Sequence, residues 1–117
     1  MAKVGCWTAV CERQLFLRTC LMQMRLQTRQ PDAYLILING ENADSYDLRC
    51  IDDLLHPWIS IQRVSRKLTP REASTLAVAE LLQSDIDLSF KIDSDDIYRV
   101  NYLQTILISN LGSIAIH

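Results

Sequence analysis

The stretch Ala33-Tyr34-Leu35-Ile36-Leu37-Ile38, which stops at Asn39-Gly40, decides the fold class of this chain. A short apolar run that ends at a turn signal is typical of a strand covered on both faces of a sheet. It is the longest clean apolar run in the sequence, and it is far shorter than the roughly 20 residues that cross a bilayer. We therefore expect a buried strand in an α/β protein, and no transmembrane segment.

Outward from this stretch, strand patterns alternate with helical ones. Before it, residues 4–10 read as a strand and apolar residues then recur at helical spacing from 15 to 26. After it, Thr69-Pro70-Arg71-Glu72 carries the signals of a helix start. The elements expected after the central strand are a short helix at 48–55, a half-exposed or edge strand at 58–64, a helix at 70–82, a strand at 88–92, a helix at 97–109 and the start of a strand at 113–117.

This alternation predicts right-handed βαβ crossovers and a mostly parallel, Rossmann-like sheet flanked by helices. With 117 residues, 49% of them hydrophobic and 22% charged, residues 1–117 are expected to form a single domain. A net charge of −2 provides no strong positive field for a nucleic acid. The four cysteines form no CxxC pair, and Glu12 and Arg13 stand where a signal peptide would be cleaved. We therefore expect a cytoplasmic protein with reduced thiols. The cysteines are expected to be small apolar residues of the core.

Three polar clusters follow the predicted strands: Cys11-Glu12-Arg13, Asn39-Gly40-Glu41-Asn42 and Asp93-Ser94-Asp95-Asp96. In open α/β sheets, ligands bind outside the carboxyl ends of the strands. Three carboxylates within four residues repel one another unless a cation lies among them, and Mg²⁺ or Mn²⁺ prefers oxygen ligands. Helix capping is the alternative, and it accounts for one or two of these aspartates.

At this point the chain resembles the nucleotide-binding half of a family 2-like glycosyltransferase with the GT-A fold. The resemblance covers residues 3 to about 109. It rests on a series of motifs in order: Thr8-Ala9-Val10-Cys11-Glu12-Arg13, a helix ending in Gln27-Thr28, a strand from Pro31 to Gly40, an alanine-rich helix from Arg71 to Leu82, the DxD-bearing segment Lys91-Ile92-Asp93-Ser94-Asp95-Asp96-Ile97-Tyr98, and Tyr102-Leu103.

The resemblance implies a donor site for a UDP- or GDP-sugar. In that site Asp95 holds Mg²⁺ or Mn²⁺ against the diphosphate, Asp96 assists, and Asp93 lies close to the ribose or sugar as well as to the metal. The other residues carried over to the nucleotide are Thr8, Arg13, Asn39 and Arg71. For the two arginines, solvated surface charges are the alternative interpretation.

The sequence departs from the family where Asn39-Gly40-Glu41 replaces the usual aspartate pair and where Cys11 replaces a common asparagine. The chain stops soon after the helix that follows the DxD, so the half that binds the acceptor and supplies the base is not expected here. We name no catalytic base, since His56 and His117 are poorly placed for one. Trp7 and Trp58 are expected to be core residues rather than stacking platforms.

Two functions remain open from the sequence. One is a metal-dependent glycosyltransferase that transfers a sugar to an unknown acceptor. The other is a non-catalytic remnant or binding module of the same fold, whose terminal strand at 113–117 pairs with another copy of the chain. A different Mg²⁺-dependent α/β protein is a third, weaker interpretation.

Overall fold

The computed structural model describes residues 3–11, 14–93 and 98–108. Within them the chain forms an α/β fold with a parallel sheet flanked by helices, as the sequence predicts. The elements in chain order are β1 (Val4–Val10), α1 (Gln14–Arg25), β2 (Ala33–Asn39), β3 (Ile59–Val64), α2 (Pro70–Gln83) and β4 (Leu88–Lys91). Residues 102–108 are also helical, and two 3₁₀ turns, Ala43–Ser45 and Arg49–Leu54, lie between β2 and β3.

The four strands of the described sheet are all parallel and lie in the order β3-β2-β1-β4. The stretch that decides the fold class is β2, whose residues from Tyr34 to Asn39 are buried, as expected of an interior strand. β3 lies at one edge and is only partly buried, which confirms the interpretation of its alternating pattern. The chain first builds the sheet outward from β1 to β2 and β3. It then crosses back over β2 and β1, so that β4 pairs with the other side of β1.

Helix α1 covers one face of the sheet together with the loop between β2 and β3 and the helical segment 102–108. Its buried side chains pack on alternate residues of the central strands. The buried apolar residues on this face include Val4, Cys6, Val10, Leu17, Cys20, Leu21, Met24, Tyr34, Ile36, Ile38, Ile51, Ile92 and Leu103.

Helix α2 covers the opposite face. Gly5 lies beneath its C-terminal end, where an added Cβ would come within 2.9 Å of Cγ2 of Ile86. The absence of a side chain at Gly5 therefore allows Leu81 and Ile86 to pack closely on β1. The buried residues on this face are Trp7, Leu35, Leu37, Leu68, Ala73, Ala77, Leu81 and Ile86.

The start of α2 follows from the capping box that the sequence predicts. The Thr69 side chain accepts a hydrogen bond from the Glu72 N–H, and the Glu72 carboxylate accepts one from the Thr69 N–H. Both bonds satisfy N–H groups that a helix start leaves unpaired. The carboxylate also pairs with Arg66, and the hydrogen bonds hold the pKa of Glu72 below its usual value.

The helix expected at 97–109 begins later than predicted. In the described part of the chain, residues 98–101 are not helical, and the helix starts at 102. The reason is that backbone groups of residues 98–103 form hydrogen bonds with the side chains of Gln23 and Gln27 instead of with one another. Residues 97 and 109 and the strand expected at 113–117 lie outside the described residues.

None of the helices formed by the described residues is both long enough and apolar enough to cross a membrane.

Candidate functional site

The carboxyl ends of β1, β2 and β4 meet at one edge of the sheet. β1 lies between the other two: the chain adds β2 and then β3 on one side of β1, and after β3 it crosses over to place β4 on the other side. In open α/β sheets this reversal leaves a crevice where ligands bind. Cys11, Gly40 and Asp93, each from one of the polar clusters predicted from the sequence, therefore lie at the same edge.

Asp93 follows β4 directly and is exposed at this edge. Its neighbour Ile92 extends the sheet by one hydrogen bond, from its N–H to the Trp7 carbonyl at 2.8 Å. The Asp93 carboxylate lies 3.6 Å from the Lys91 ammonium, with both side chains about half exposed, so this ion pair is weak. Asp93 thus presents an accessible carboxylate at the reversal point of the sheet.

Of the three aspartates predicted to hold a metal, Asp93 is described, whereas Asp95 and Asp96 lie outside the described residues. Among the residues that the structure describes, no three His, Cys, Asp or Glu side chains come together as a metal site. The described chain therefore supplies one carboxylate of the predicted set, of a type that suits Mg²⁺ or Mn²⁺.

Thr8, which the resemblance assigns to the nucleotide, is fully buried in β1. Its hydroxyl donates to the Ile92 carbonyl at 2.9 Å and is hydrogen bonded to the Tyr34 hydroxyl. Because Thr8 has one hydroxyl hydrogen and a carbonyl can only accept, Tyr34 is the donor to Thr8. The structure thus places Thr8 beneath the edge, attached to the residue that precedes Asp93, rather than on the surface of a cleft.

Tyr34 and Cys20 complete this buried polar layer, with the thiol sulfur 3.3 Å from the phenol oxygen. Burial raises the pKa of Tyr34 well above its usual value, and burial also raises that of Cys20. Both groups therefore stay protonated at neutral pH. The layer is uncharged, and it links β1, β2 and α1 to the end of β4.

Residues 98–103 are fixed to α1 and to the residues that follow it. Gln27, almost fully buried, donates to the Arg99 carbonyl at 2.7 Å and accepts from the Leu103 N–H at 3.1 Å. The Thr28 N–H donates to the Val100 carbonyl at 2.6 Å. The Gln27-Thr28 pair, noted in the sequence as part of the resemblance, thus holds the segment that leads away from the acidic cluster.

This role of Gln27 is one that the sequence interpretation missed. A glutamine near a helix C-terminus is most often a solvated residue. The Gln27-Thr28 pair stands out only as part of the motif series, and no local pattern indicates its hydrogen-bond partners 72 and 76 residues away.

Asn39 is nearly fully buried, and both ends of its amide are engaged. Its Nδ2 donates to the Val10 carbonyl at 3.2 Å, and its Oδ1 accepts from the Leu68 N–H at 3.0 Å. Asn39 therefore joins the ends of β1 and β2 to the loop before α2. Its predicted contact with the nucleotide stays a prediction, and its observed contacts are with the backbone.

A cleft of about 240 Å³ lies next to these strand ends and is lined by Cys11, Gly40, Glu41, Asn42 and Lys67. Gly40 has φ of +119°, a conformation that favours glycine, and an added Cβ there would lie 3.2 Å from the Cys11 sulfur. Cys11 is exposed, so the expectation that it is a core residue is wrong, whereas Cys6 and Cys20 are buried as expected. Backbone and side chains of three separate segments thus shape the cleft.

Among the residues that the structure describes, the other predicted ones do not line this cleft. Arg71 is exposed in the first turn of α2, and Arg13 lies outside the described residues. Trp7 is a core residue, as expected, and Trp58 is partly buried before β3. His56 packs against Trp58, with ring centroids 5.3 Å apart, at the amino ends of the strands and therefore far along the sheet from Asp93.

Comparisons of the chain with known protein families and with curated proteins find no match.

Proposed function

We propose that this chain binds a nucleotide-sugar, with UDP or GDP as the nucleotide, through Mg²⁺ or Mn²⁺ at the carboxyl edge of its sheet. The proposed activity is that of a family 2-like glycosyltransferase, which transfers the sugar to an acceptor. One observation carries the proposal: the exposed Asp93 leaves β4 beside the central strand β1, where the connections of the sheet reverse.

The acidic segment that begins at Asp93 is the proposed metal site. On the resemblance, we assign Asp95 as the main ligand and Asp93 and Asp96 as supporting ones. Carboxylate oxygens are the ligands that hard divalent cations prefer, and the bound ion would offset the charge of a leaving diphosphate. Asp93, at the end of an ordered strand, gives the segment a fixed starting point.

The cleft beside Cys11 and Gly40 is the proposed place of the nucleoside. Glu41 offers a carboxylate acceptor for ribose hydroxyls or a base N–H, and Lys67 offers a cation for phosphate oxygens. Both side chains are exposed. On the resemblance alone, we assign Arg13 to the nucleotide and Arg71 to the base or the diphosphate.

The test is calorimetric titration of UDP, GDP and their sugars into the purified chain, first with Mn²⁺ and then with EDTA. The proposal expects heat with one of the nucleotides that requires Mn²⁺ and disappears with EDTA. The absence of binding heat with every nucleotide in the presence of Mn²⁺ would contradict the proposal.

An Asp95→Asn variant tests the metal role, because it removes one carboxylate at nearly constant size. We expect it to abolish Mn²⁺-dependent nucleotide binding and to leave the unfolding temperature nearly unchanged, since it relieves repulsion among the aspartates. Asp85→Asn is the matched control: Asp85 lies at the other edge of the sheet, is almost fully exposed and has φ of 60°, which asparagine tolerates. Asp85→Asn is expected to bind like the parent. If Asp95→Asn binds normally, the metal role is wrong; if it is strongly destabilised, the cluster is a helix cap.

A nucleotide-binding module without turnover is the second candidate. The observation that favours it is the position of His56, a potential general base, at the opposite edge of the sheet from Asp93. Release of free sugar from the donor by the isolated chain would support the enzyme. Tight Mn²⁺-dependent binding without sugar release would support the module.

A further inference from the structure

The peptide group between Ile92 and Asp93 is held at both of its polar ends by side chains. Its carbonyl accepts a hydrogen bond from the Thr8 hydroxyl at 2.9 Å. Its N–H donates to the Tyr98 hydroxyl, also at 2.9 Å. Two side chains, one from β1 and one five residues after Asp93, therefore fix the plane of the peptide that leads into Asp93.

Tyr98 is itself held in place. Its backbone N–H donates to Oε1 of Gln23 in α1. Its ring packs on the core under α1 and meets the ring of Tyr102 edge-on, with centroids 4.6 Å apart. A continuous path of contacts thus runs from α1 through Gln23 and Tyr98 to the backbone of Asp93.

We propose that Tyr98, held by Gln23, is a positioning residue that acts with Thr8 to direct the Asp93 carboxylate towards the bound metal and diphosphate. The inference rests on the function proposed above. A peptide free to rotate would let the carboxylate sample many directions, and binding would then have to order it at a cost in entropy. A peptide fixed at both ends has lost that freedom on folding, so the carboxylate is preorganised.

Tyr98→Phe tests the proposal because it removes only the hydroxyl and keeps the packed ring. The measurements are calorimetric titration of Mn²⁺ with UDP, or with GDP where the parent prefers it, and hydrogen exchange of the Asp93 amide by NMR. We expect about two- to tenfold weaker nucleotide binding, the equivalent of one hydrogen bond. We also expect faster exchange at Asp93, with most of the other amides unchanged.

Tyr46→Phe is the matched control. The Tyr46 hydroxyl is buried and has no hydrogen-bond partner among the described residues, so its removal is expected to change neither nucleotide binding nor exchange at Asp93. Gln23→Met is the second variant, since methionine keeps the length of the side chain but lacks the amide oxygen. It is expected to weaken nucleotide binding in the same way. In the double variant, the loss of affinity is expected to be smaller than the sum of the two single losses, because both changes act through Tyr98.

The outcomes separate this inference from the proposed function. If the parent binds the Mn²⁺–nucleotide and Tyr98→Phe binds equally well, or if exchange at Asp93 is unchanged, the positioning role is overturned and the proposed function stands. If the parent binds no nucleotide, the proposed function fails and the inference fails with it. If Tyr98→Phe lowers the unfolding temperature without weakening binding, Tyr98 is a packing residue only.

Discussion

The face of the sheet under α2 is lined by apolar side chains, whereas the face under α1 also carries a buried layer of hydroxyl, thiol and amide groups. Among the described residues under α2, the contacts are mainly those of leucines, alanines and Trp7, and Asn39 at the carboxyl edge is a buried polar residue. Under α1, Thr8, Tyr34 and Cys20 are hydrogen bonded in a row that ends at the Ile92 carbonyl.

From this difference we infer that the α2 face contributes mainly to stability, whereas the α1 face also sets the geometry of the candidate site. Dispersion and burial under α2 are non-directional, so a side chain lost there lowers stability without turning any group at the edge. Hydrogen bonds under α1 are directional and lead to Asp93, so a group lost there is expected to change the orientation of the candidate site as well as stability. The variants below test that division.

The largest effect on stability is expected from Leu81→Ala under α2. Leu81 is 3% exposed, and its truncation leaves a cavity between α2 and the sheet. We expect a loss of about 2–5 kcal/mol in the free energy of unfolding, measured by urea denaturation. At temperatures where the variant is folded, its affinity for the Mn²⁺–nucleotide is expected to equal that of the parent.

Leu82→Ala is the control for this change, because the neighbouring leucine is 64% exposed. It is expected to stay within about 0.5 kcal/mol of the parent. A clear loss of affinity in folded Leu81→Ala would show that the α2 face also shapes the site, and the division between the faces would be wrong.

A smaller loss of stability, coupled to a loss of binding, is expected from Thr8→Val under α1. Valine has nearly the same shape but leaves the Tyr34 hydroxyl and the Ile92 carbonyl without this partner. We expect about 1–3 kcal/mol less stability by urea denaturation. Calorimetry is expected to show weaker Mn²⁺-dependent nucleotide binding.

Thr75→Val is the corresponding control, since Thr75 is exposed on α2 and its hydroxyl bonds only to the Arg71 carbonyl within the described chain. It is expected to bind nucleotide like the parent. Parent-like binding by folded Thr8→Val would mean that the buried layer serves stability alone.

The smallest effect is a pH dependence that belongs to the α1 face. Burial raises the pKa of Cys6 from its usual value near 9 to about 12. The stability due to the protonated thiol is therefore fully present below pH 9, where both states are protonated. It is lost as the pH rises from there through the folded pKa, because the unfolded chain releases its proton first. Between pH 8 and pH 9.5 this linkage predicts a loss of about 0.8 kcal/mol from Cys6.

Cys6→Ala is expected to remove that part of the pH dependence, as measured by urea denaturation at the two pH values. Leu81→Ala, which carries no titratable group, is expected to keep the dependence of the parent while being less stable at both pH values. An unchanged pH dependence in Cys6→Ala would show that Cys6 ionises alike in the folded and unfolded chain.

Much of the fold was predictable because its signals are local. The apolar run of β2, the strand pattern of β1 and the capping box of α2 each lie within a few consecutive residues. The α/β class and the bounds of β1 followed directly from these patterns.

The site was less predictable because its contacts are long-range. Asp93 was recognised from its charge and its place after a strand, but nothing near Thr8 in sequence indicates that its hydroxyl is bonded 84 residues away. The same holds for the late start of the last helix, where Gln27 replaces the helical hydrogen bonds of Arg99 and Leu103 with its own amide.

We propose that a divalent metal and a nucleotide bind at the carboxyl edge of the sheet. Paramagnetic broadening by Mn²⁺ in NMR spectra of the ¹⁵N-labelled chain tests it most directly, because broadening falls steeply with distance from the ion. In the presence of UDP or GDP, we expect selective loss of the Asp93, Cys11 and Gly40 amide signals, while those of Lys3, Ala33 and Trp58 at the amino edge persist. Broadening centred on the amino edge, or no selective broadening at all, would contradict it.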